Sequence, residues 1–232
     1  PVSCNGFVIE HAEDDPCYDR IVRQSDAASM IALRMDNGAV AKLLQVKLRG
    51  HGVWVRCHCA RGLMENLRWG DRNMLRVVRE QYHEERTDPE EQIYRPDFPH
   101  HHDEATKAGH GGGDFFTNYH FAQAIRSGEQ PYLDVYRGVQ MSIVGPLAYR
   151  SALDDSNTVE VPDFRNKSER DEYRNDDWSP NPETRTEDDP WPSVTGEVEH
   201  TDEQIRHAAQ IWQEMGHEDD YEKLLGPDYS SD

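Results

Sequence analysis

The sequence predicts an α+β fold: an open, mostly antiparallel sheet with helices packed on one face. Three observations carry that expectation. Strand-like runs separated by tight-turn residues fill the chain as far as Glu80. Helical periodicity, with apolar residues three and four apart, begins only near Phe115. Strands and helices are thus segregated along the chain, which argues against a parallel sheet built from alternating βαβ units.

Ser3 to Glu10 and Met30 to Met35 are strand-like, and Asp36-Asn37-Gly38 supplies a hairpin turn into Ala39 to Leu48. Gly50-His51-Gly52 breaks that run before a third strand, Val53 to Ala60. Arg61-Gly62 turns into Leu63 to Trp69, and Gly70-Asp71-Arg72-Asn73 turns into Met74 to Glu80. Strands joined so tightly imply an antiparallel meander with one covered face. Thr87 to Lys107, with Pro89, Pro96 and Pro99, reads as a long polar loop.

Two helical patterns follow. Phe115, Tyr119, Ala122 and Ile125 give the first one apolar face, and Gly128 and Pro131 stop it. Val135, Val139, Ile143 and Leu147 do the same for the second, with Asp134 as its N-cap and Gly145-Pro146 expected to bend it. The short run Val159 to Val161 leads into Pro162-Asp163-Phe164, and residues 1–164 are expected to form one domain. Residues 165–200 are rich in proline and carboxylates and predict an extended arm, tethered if Trp178 and Trp191 dock. In the last segment, 201–232, Thr201 and Gln204 form a capping box. The apolar stripe Ile205, Ala208, Trp212 and Met215 completes a C-terminal helix.

The charge balance narrows the environment. There are 45 acidic against 25 basic residues, a net of −20, and only five of the basic residues are lysine. Such a surface repels nucleic acid and anionic membranes, so neither is an expected partner. Carboxylate-rich, lysine-poor surfaces stay hydrated in high salt, which also screens their self-repulsion; the expectation is a halophile's cytoplasmic protein. No apolar stretch approaches the length that spans a bilayer.

Four cysteines, Cys4, Cys17, Cys57 and Cys59, do not make a disulfide scaffold. Cys57-His58-Cys59 lies in an alternating run that turns both thiols one way and His58 the other, a poor arrangement for three ligands on one metal. A four-thiolate zinc site can be drawn, but the paired C-x-x-C spacing is absent and no metal is expected. The thiols read as small buried residues in a reducing cytoplasm.

His110 is the leading candidate for chemistry. It opens a run of three glycines just before a helix, where backbone amides and the helix dipole favour anionic or hydroxyl-rich ligands. A histidine there can hydrogen-bond a sugar hydroxyl or move a proton, or it can simply pack in the turn. Asp114 either shares that site or caps the helix. His51 lies between two strands, as a site residue or a surface hairpin histidine. Arg49 and Trp54 can line a pocket with it, joining a charged hydrogen-bonding group to an aromatic platform. His100, His101 and His102 point in different directions, so one metal would take at most two of them, and a solvated loop is the plainer reading. Tyr94, Asp97 and Phe98 receive no role.

Several motifs, taken in order, resemble one family. Asp36-Asn37-Gly38-Ala39, Arg61-Gly62-Leu63-Met64-Glu65, Gly109-His110-Gly111-Gly112 with Asp114, Asp134-Val135-Tyr136, Ser151 and Val161-Pro162-Asp163-Phe164 are similar to the C-terminal domain of the Gfo/Idh/MocA oxidoreductases. That family includes the NAD-dependent α-N-acetylgalactosaminidases, and the similarity spans roughly residues 1 to 175. The resemblance implies the substrate-binding and oligomerisation half of an NAD(P)-dependent enzyme acting on a sugar or cyclitol hydroxyl. It implies a sugar-like ligand and a homo-oligomer paired through the sheet face. In the galactosaminidases a substrate-contacting tyrosine falls near the position of His51, before a turn matching Ala60-Arg61-Gly62.

The family's Glu-Lys-Pro motif and a strand-led GxGxxG fingerprint do not occur, and Gly111 to Gly113 does not fit the latter. Catalytic residues and the NAD or NADP site are therefore expected in an N-terminal Rossmann domain outside this sequence. The chain opens at Pro1 in a strand-like run and reads as a fragment, inactive and cofactor-free alone. The alternatives are the same domain of an NAD-dependent glycosidase, a non-catalytic binding or assembly domain, and a zinc-binding module.

Overall fold

A computed structural model describes residues 1–10, 25–46, 53–81 and 87–214. They form two compact units, one from residues 1–51 with 133–232 and the other from residues 52–132. The expected antiparallel pairing is present, but as two four-stranded sheets rather than one meander.

In the first unit β1 (Ser3–Ile9) pairs antiparallel with β2 (Ala28–Arg34), which pairs with β3 (Val40–Val46). The hairpin between β2 and β3 is the predicted one: Gly38 takes φ 83° and its N–H donates to the Met35 carbonyl at 3.0 Å. The fourth strand, β8 (Val159–Glu160), comes from more than a hundred residues away and pairs with Ser3 and Cys4.

Helices α3 (Val135–Ser142) and α4 (Val144–Leu153) are the two halves of the second helical pattern. The Asp134 carboxylate accepts from Arg137 N–H at 2.8 Å, as an N-cap should. The break falls at Ile143, which places Pro146 in the first turn of α4, where a missing N–H is tolerated. One face of α4 covers the sheet, and Val144, Leu147 and Ala148 join Cys4, Leu33 and Val161 in the core.

The approach of α4 to β1 is set by one glycine. A Cβ on Gly6 would lie 1.8 Å from the Ala148 carbonyl oxygen. In the contact, fully buried Ser151 accepts from Gly6 N–H at 2.9 Å and donates to the Asn157 carbonyl at 2.5 Å. The opposite sheet face carries Phe7, Ile9, Met30, Val40 and Leu44, of which Phe7 is 41% and Ile9 55% exposed.

Residues 165–200 are held against this unit. They contain α5 (Lys167–Glu172), and Trp178 packs on Tyr149 with ring centroids 5.9 Å apart. Tyr149 Oη donates to the Trp191 carbonyl at 2.5 Å, and the Ser193 hydroxyl donates to Asp26 at 2.7 Å. The capping box of α6 (Asp202–Glu214) forms as predicted: Thr201 N–H donates to Gln204 Oε1 at 2.9 Å and Gln204 N–H to Thr201 Oγ1 at 3.3 Å.

The second unit holds β4 (Arg56–Cys59), β5 (Gly62–Asn66), β6 (Leu75–Arg79) and β7 (Glu91–Tyr94), paired antiparallel in that order. Strand β7 and helix α1 (His102–Ala105) both arise in the stretch expected to be a loop. Helix α2 (Gly113–Ser127) follows, stopped by Gly128 at φ 72°, whose N–H donates to the Ala124 carbonyl. No described helix is long and apolar enough to cross a membrane.

Candidate functional site

The glycine run before α2 shapes the site. His110, Gly111 and Gly112 take φ values of 52°, 63° and 93°, a left-handed succession in which glycine removes the steric cost at two of three positions. Gly112 is needed twice over, since a Cβ there would lie 2.4 Å from Cζ of Phe98.

This turn lays His110 over the first turn of α2, with Nδ1 3.0 Å from each Asp114 oxygen. Gly109 makes room for that carboxylate, because a Cβ on it would lie 2.4 Å from Asp114 Oδ2. The capping reading of Asp114 fails: the N-cap is Gly112, with no side-chain cap bond, and the carboxylate serves His110. Its charge still faces the positive end of the helix dipole. With Nδ1 turned to Asp114, Nε2 is the ring atom left to meet a ligand, an acceptor when the ring is neutral and a donor when it is charged. The His110 side chain is 87% exposed, so that atom is open to solvent.

Beside the pair stands an aromatic shelf that sequence reasoning missed. His101 packs on Tyr119 with centroids 4.7 Å apart, and His100 packs on Phe116 and Tyr119 at 5.4 and 5.5 Å. Phe115 stacks along Tyr119 at 5.9 Å, and Phe98 meets Phe116 at 5.3 Å. His102 Nδ1 contacts Asp97 closely; that hydrogen bond, followed by one from Phe98 N–H, holds the Asp97 carboxyl below its usual range. The signal was present in the spacing of Phe115, Phe116, Tyr119 and His120 on one helix, read together with the histidines just upstream. Among the described residues no three His, Cys, Asp or Glu side chains converge as a metal site.

Trp54, 42% exposed, is flanked by the guanidinium of Arg68 at 5.0 Å and that of Arg56 at 5.6 Å. Arg68 also lies 5.3 Å from the ring of Trp69. Asn66 fixes this stretch, accepting from Val55 N–H at 2.6 Å and donating to the Val53 carbonyl at 3.2 Å. Among the described residues no contact joins Trp54 to His110. Arg49 and His51 lie outside the described residues.

The glycine turn does not fit a dinucleotide. Such a fingerprint follows a strand and opens a helix, whereas this turn follows α1. No NAD(P) contact is therefore assigned to this turn.

The family profile described as "Glycosyl hydrolase 109, C-terminal domain" matches residues 40–170, more than half of the chain. The chain belongs to this family. It is a C-terminal domain of Gfo/Idh/MocA type. A glycosyl hydrolase family 109 protein of Stenotrophomonas maltophilia (strain K279a) is 37% identical over 62 residues, covering 27% of this chain and 14% of that protein. An alpha-N-acetylgalactosaminidase of Shewanella oneidensis is 41% identical over 56 residues, covering 24% and 12%. Among solved structures, a levoglucosan dehydrogenase in complex with NADH and levoglucosan has a TM-score of 0.52 at 19% identity, over 70% of this chain and 45% of that one. An oxidoreductase domain protein from Kribbella flavida has a TM-score of 0.52 at 17% identity, over 69% and 44%. These structural likenesses establish a shared fold. The aligned region is less than half of either solved chain and a smaller share of the curated relatives.

Proposed function

We propose that this chain supplies the substrate-binding and oligomerisation half of an NAD(P)-dependent enzyme that acts on a sugar hydroxyl. The observation that carries this reading is the exposed His110–Asp114 pair, set on a glycine turn at the start of α2 within the matched region 40–170. His110 Nε2 hydrogen-bonds a sugar hydroxyl, Asp114 fixes the ring, and the aromatic shelf offers apolar faces for a pyranose. Trp54 is assigned to the same ligand's surroundings. NAD(P), held by a Rossmann domain joined to this one, supplies the hydride acceptor.

Of the two reactions open to such an enzyme, family membership favours the glycosidase, in which the sugar is only transiently oxidised. The Shewanella oneidensis relative, named as an alpha-N-acetylgalactosaminidase, points the same way. Net dehydrogenation of a sugar or cyclitol is the second reading, favoured by the fold shared with a levoglucosan dehydrogenase. The acidic composition supports our reading of a protein suited to a salt-rich cytoplasm, and the exposed apolar residues Phe7, Ile9 and Leu44 support the reading of that sheet face as one that pairs subunits.

The deciding experiment reads the coding sequence upstream and assays the chain joined to any Rossmann domain found there. Nitrophenyl release from an N-acetylgalactosaminide without NADH accumulation supports the glycosidase, and NADH accumulation with a free sugar supports the dehydrogenase. Neither activity, with no reading frame for a Rossmann domain upstream, overturns both.

A further inference from the structure

We propose that the exposed face of β4 and β5 is a binding site for a soft monovalent metal ion, Cu(I) or its analogue Ag(I), through three sulfur donors. Cys57 and Cys59 are alternate residues of β4, so both thiols project from the same face of the sheet while His58 projects from the other. Strand register places Met64 directly opposite Cys57 and therefore on that same face. Opposed residues sit about 4.5–5.5 Å apart, and a diagonal neighbour at about 7–8 Å remains within reach of a long side chain. Met64 thus shares a face with both thiols and lies within side-chain reach of them. Cys59 is opposite Gly62, which has no side chain to obstruct the space between them.

Access and chemistry agree. Both cysteines are free and exposed, and Met64 is 44% exposed. Strand β4 ends its sheet, and among the described residues nothing pairs with its outer edge. Alternate strand positions lie about 6.6 Å apart, beyond the Cβ separation of about 3.8 Å that a disulfide needs. The pair is therefore ill-suited to an internal disulfide. Metal–thiolate bonds of about 2.3 Å let two sulfurs stand up to about 4.6 Å apart around one ion, a gap that side-chain rotation can close. Two thiolates and a thioether form a soft donor set that selects Cu(I), whereas a structural zinc site needs a fourth ligand, and among the described residues no such group converges here.

The test is a titration of the reduced full chain with Cu(I), without oxygen, against a chromogenic Cu(I) chelator. One Cu(I) per chain and a thiolate-to-copper ultraviolet band are expected. Uptake should be lost in Cys57→Ser and in Cys59→Ser and kept in Cys17→Ser. In Met64→Leu, a volume-conserving change that leaves the fold intact, affinity should fall by about tenfold or more, at least what loss of an outer-shell partner costs. Copper uptake that survives either β4 substitution overturns the site. So does affinity unchanged by Met64→Leu, or half an equivalent of copper with dimerisation of the chain.

Discussion

Two glycines, one in each unit, show how differently the same residue type is used. Gly6 in β1 is needed because a backbone carbonyl of α4 stands where its Cβ would be, although its own backbone is ordinary for a strand. Gly111 in the turn before α2 has open space around it and is needed for its φ of 63°. The first glycine serves a buried core and the second serves an exposed site. Packing thus sets the need for Gly6, and backbone conformation sets the need for Gly111.

The sharpest way to break that comparison is Gly6→Ala. The added methyl would run into the backbone of Ala148, so α4 must shift away from β1, at a cost of about 3 kcal/mol. Gly111→Ala should cost about 1 kcal/mol, from conformation alone. Chemical denaturation of both variants measures the gap; equal losses would contradict it.

Next comes Ser151→Ala, which removes the acceptor of Gly6 N–H and the donor to the Asn157 carbonyl within the core, for about 2 kcal/mol. Its counterpart in the second unit is Glu65→Gln. Glu65 is 9% exposed and accepts from Arg76 at 2.7 Å and pairs with Arg56 at 3.1 Å. Because both arginines keep partial contact with water, about 1 kcal/mol is expected, decreasing as salt is added. A loss that salt leaves unchanged would show that packing, not charge, holds that sheet.

A pH test separates the units further. Burial, with a smaller contribution from the Asp26 charge, raises the Tyr149 phenol from 10.0 to about 12. A raised folded-state value means that this contribution to stability is complete below pH 10 and is lost as pH rises toward 12. The slope should vanish in Tyr149→Phe; its persistence would place the alkaline transition elsewhere.

The smallest effect on stability belongs to His110→Ala, within about 0.5 kcal/mol, since the ring is exposed and its only described partner is Asp114. Its effect should appear instead as weaker sugar binding by the joined two-domain protein. Wild-type affinity in that variant would remove His110 from the site.

Local features of this chain were legible in its sequence because the physics behind them is short-ranged. The Asp36-Asn37-Gly38 hairpin, the Asp134 cap, the stop at Gly128 and the Thr201–Gln204 box each depend on hydrogen bonds spanning a few residues. The place of His110 before a helix was legible for the same reason, but its partnership with Asp114 was not, because capping competes for the same carboxylate. Only the tertiary structure decided that the strands divide into two sheets. It alone brought β8 to β1 and placed Gly6 against Ala148. Those contacts join residues more than a hundred positions apart. Such pairing is selected by the combined burial of many side chains, and no short stretch of sequence specifies it by itself.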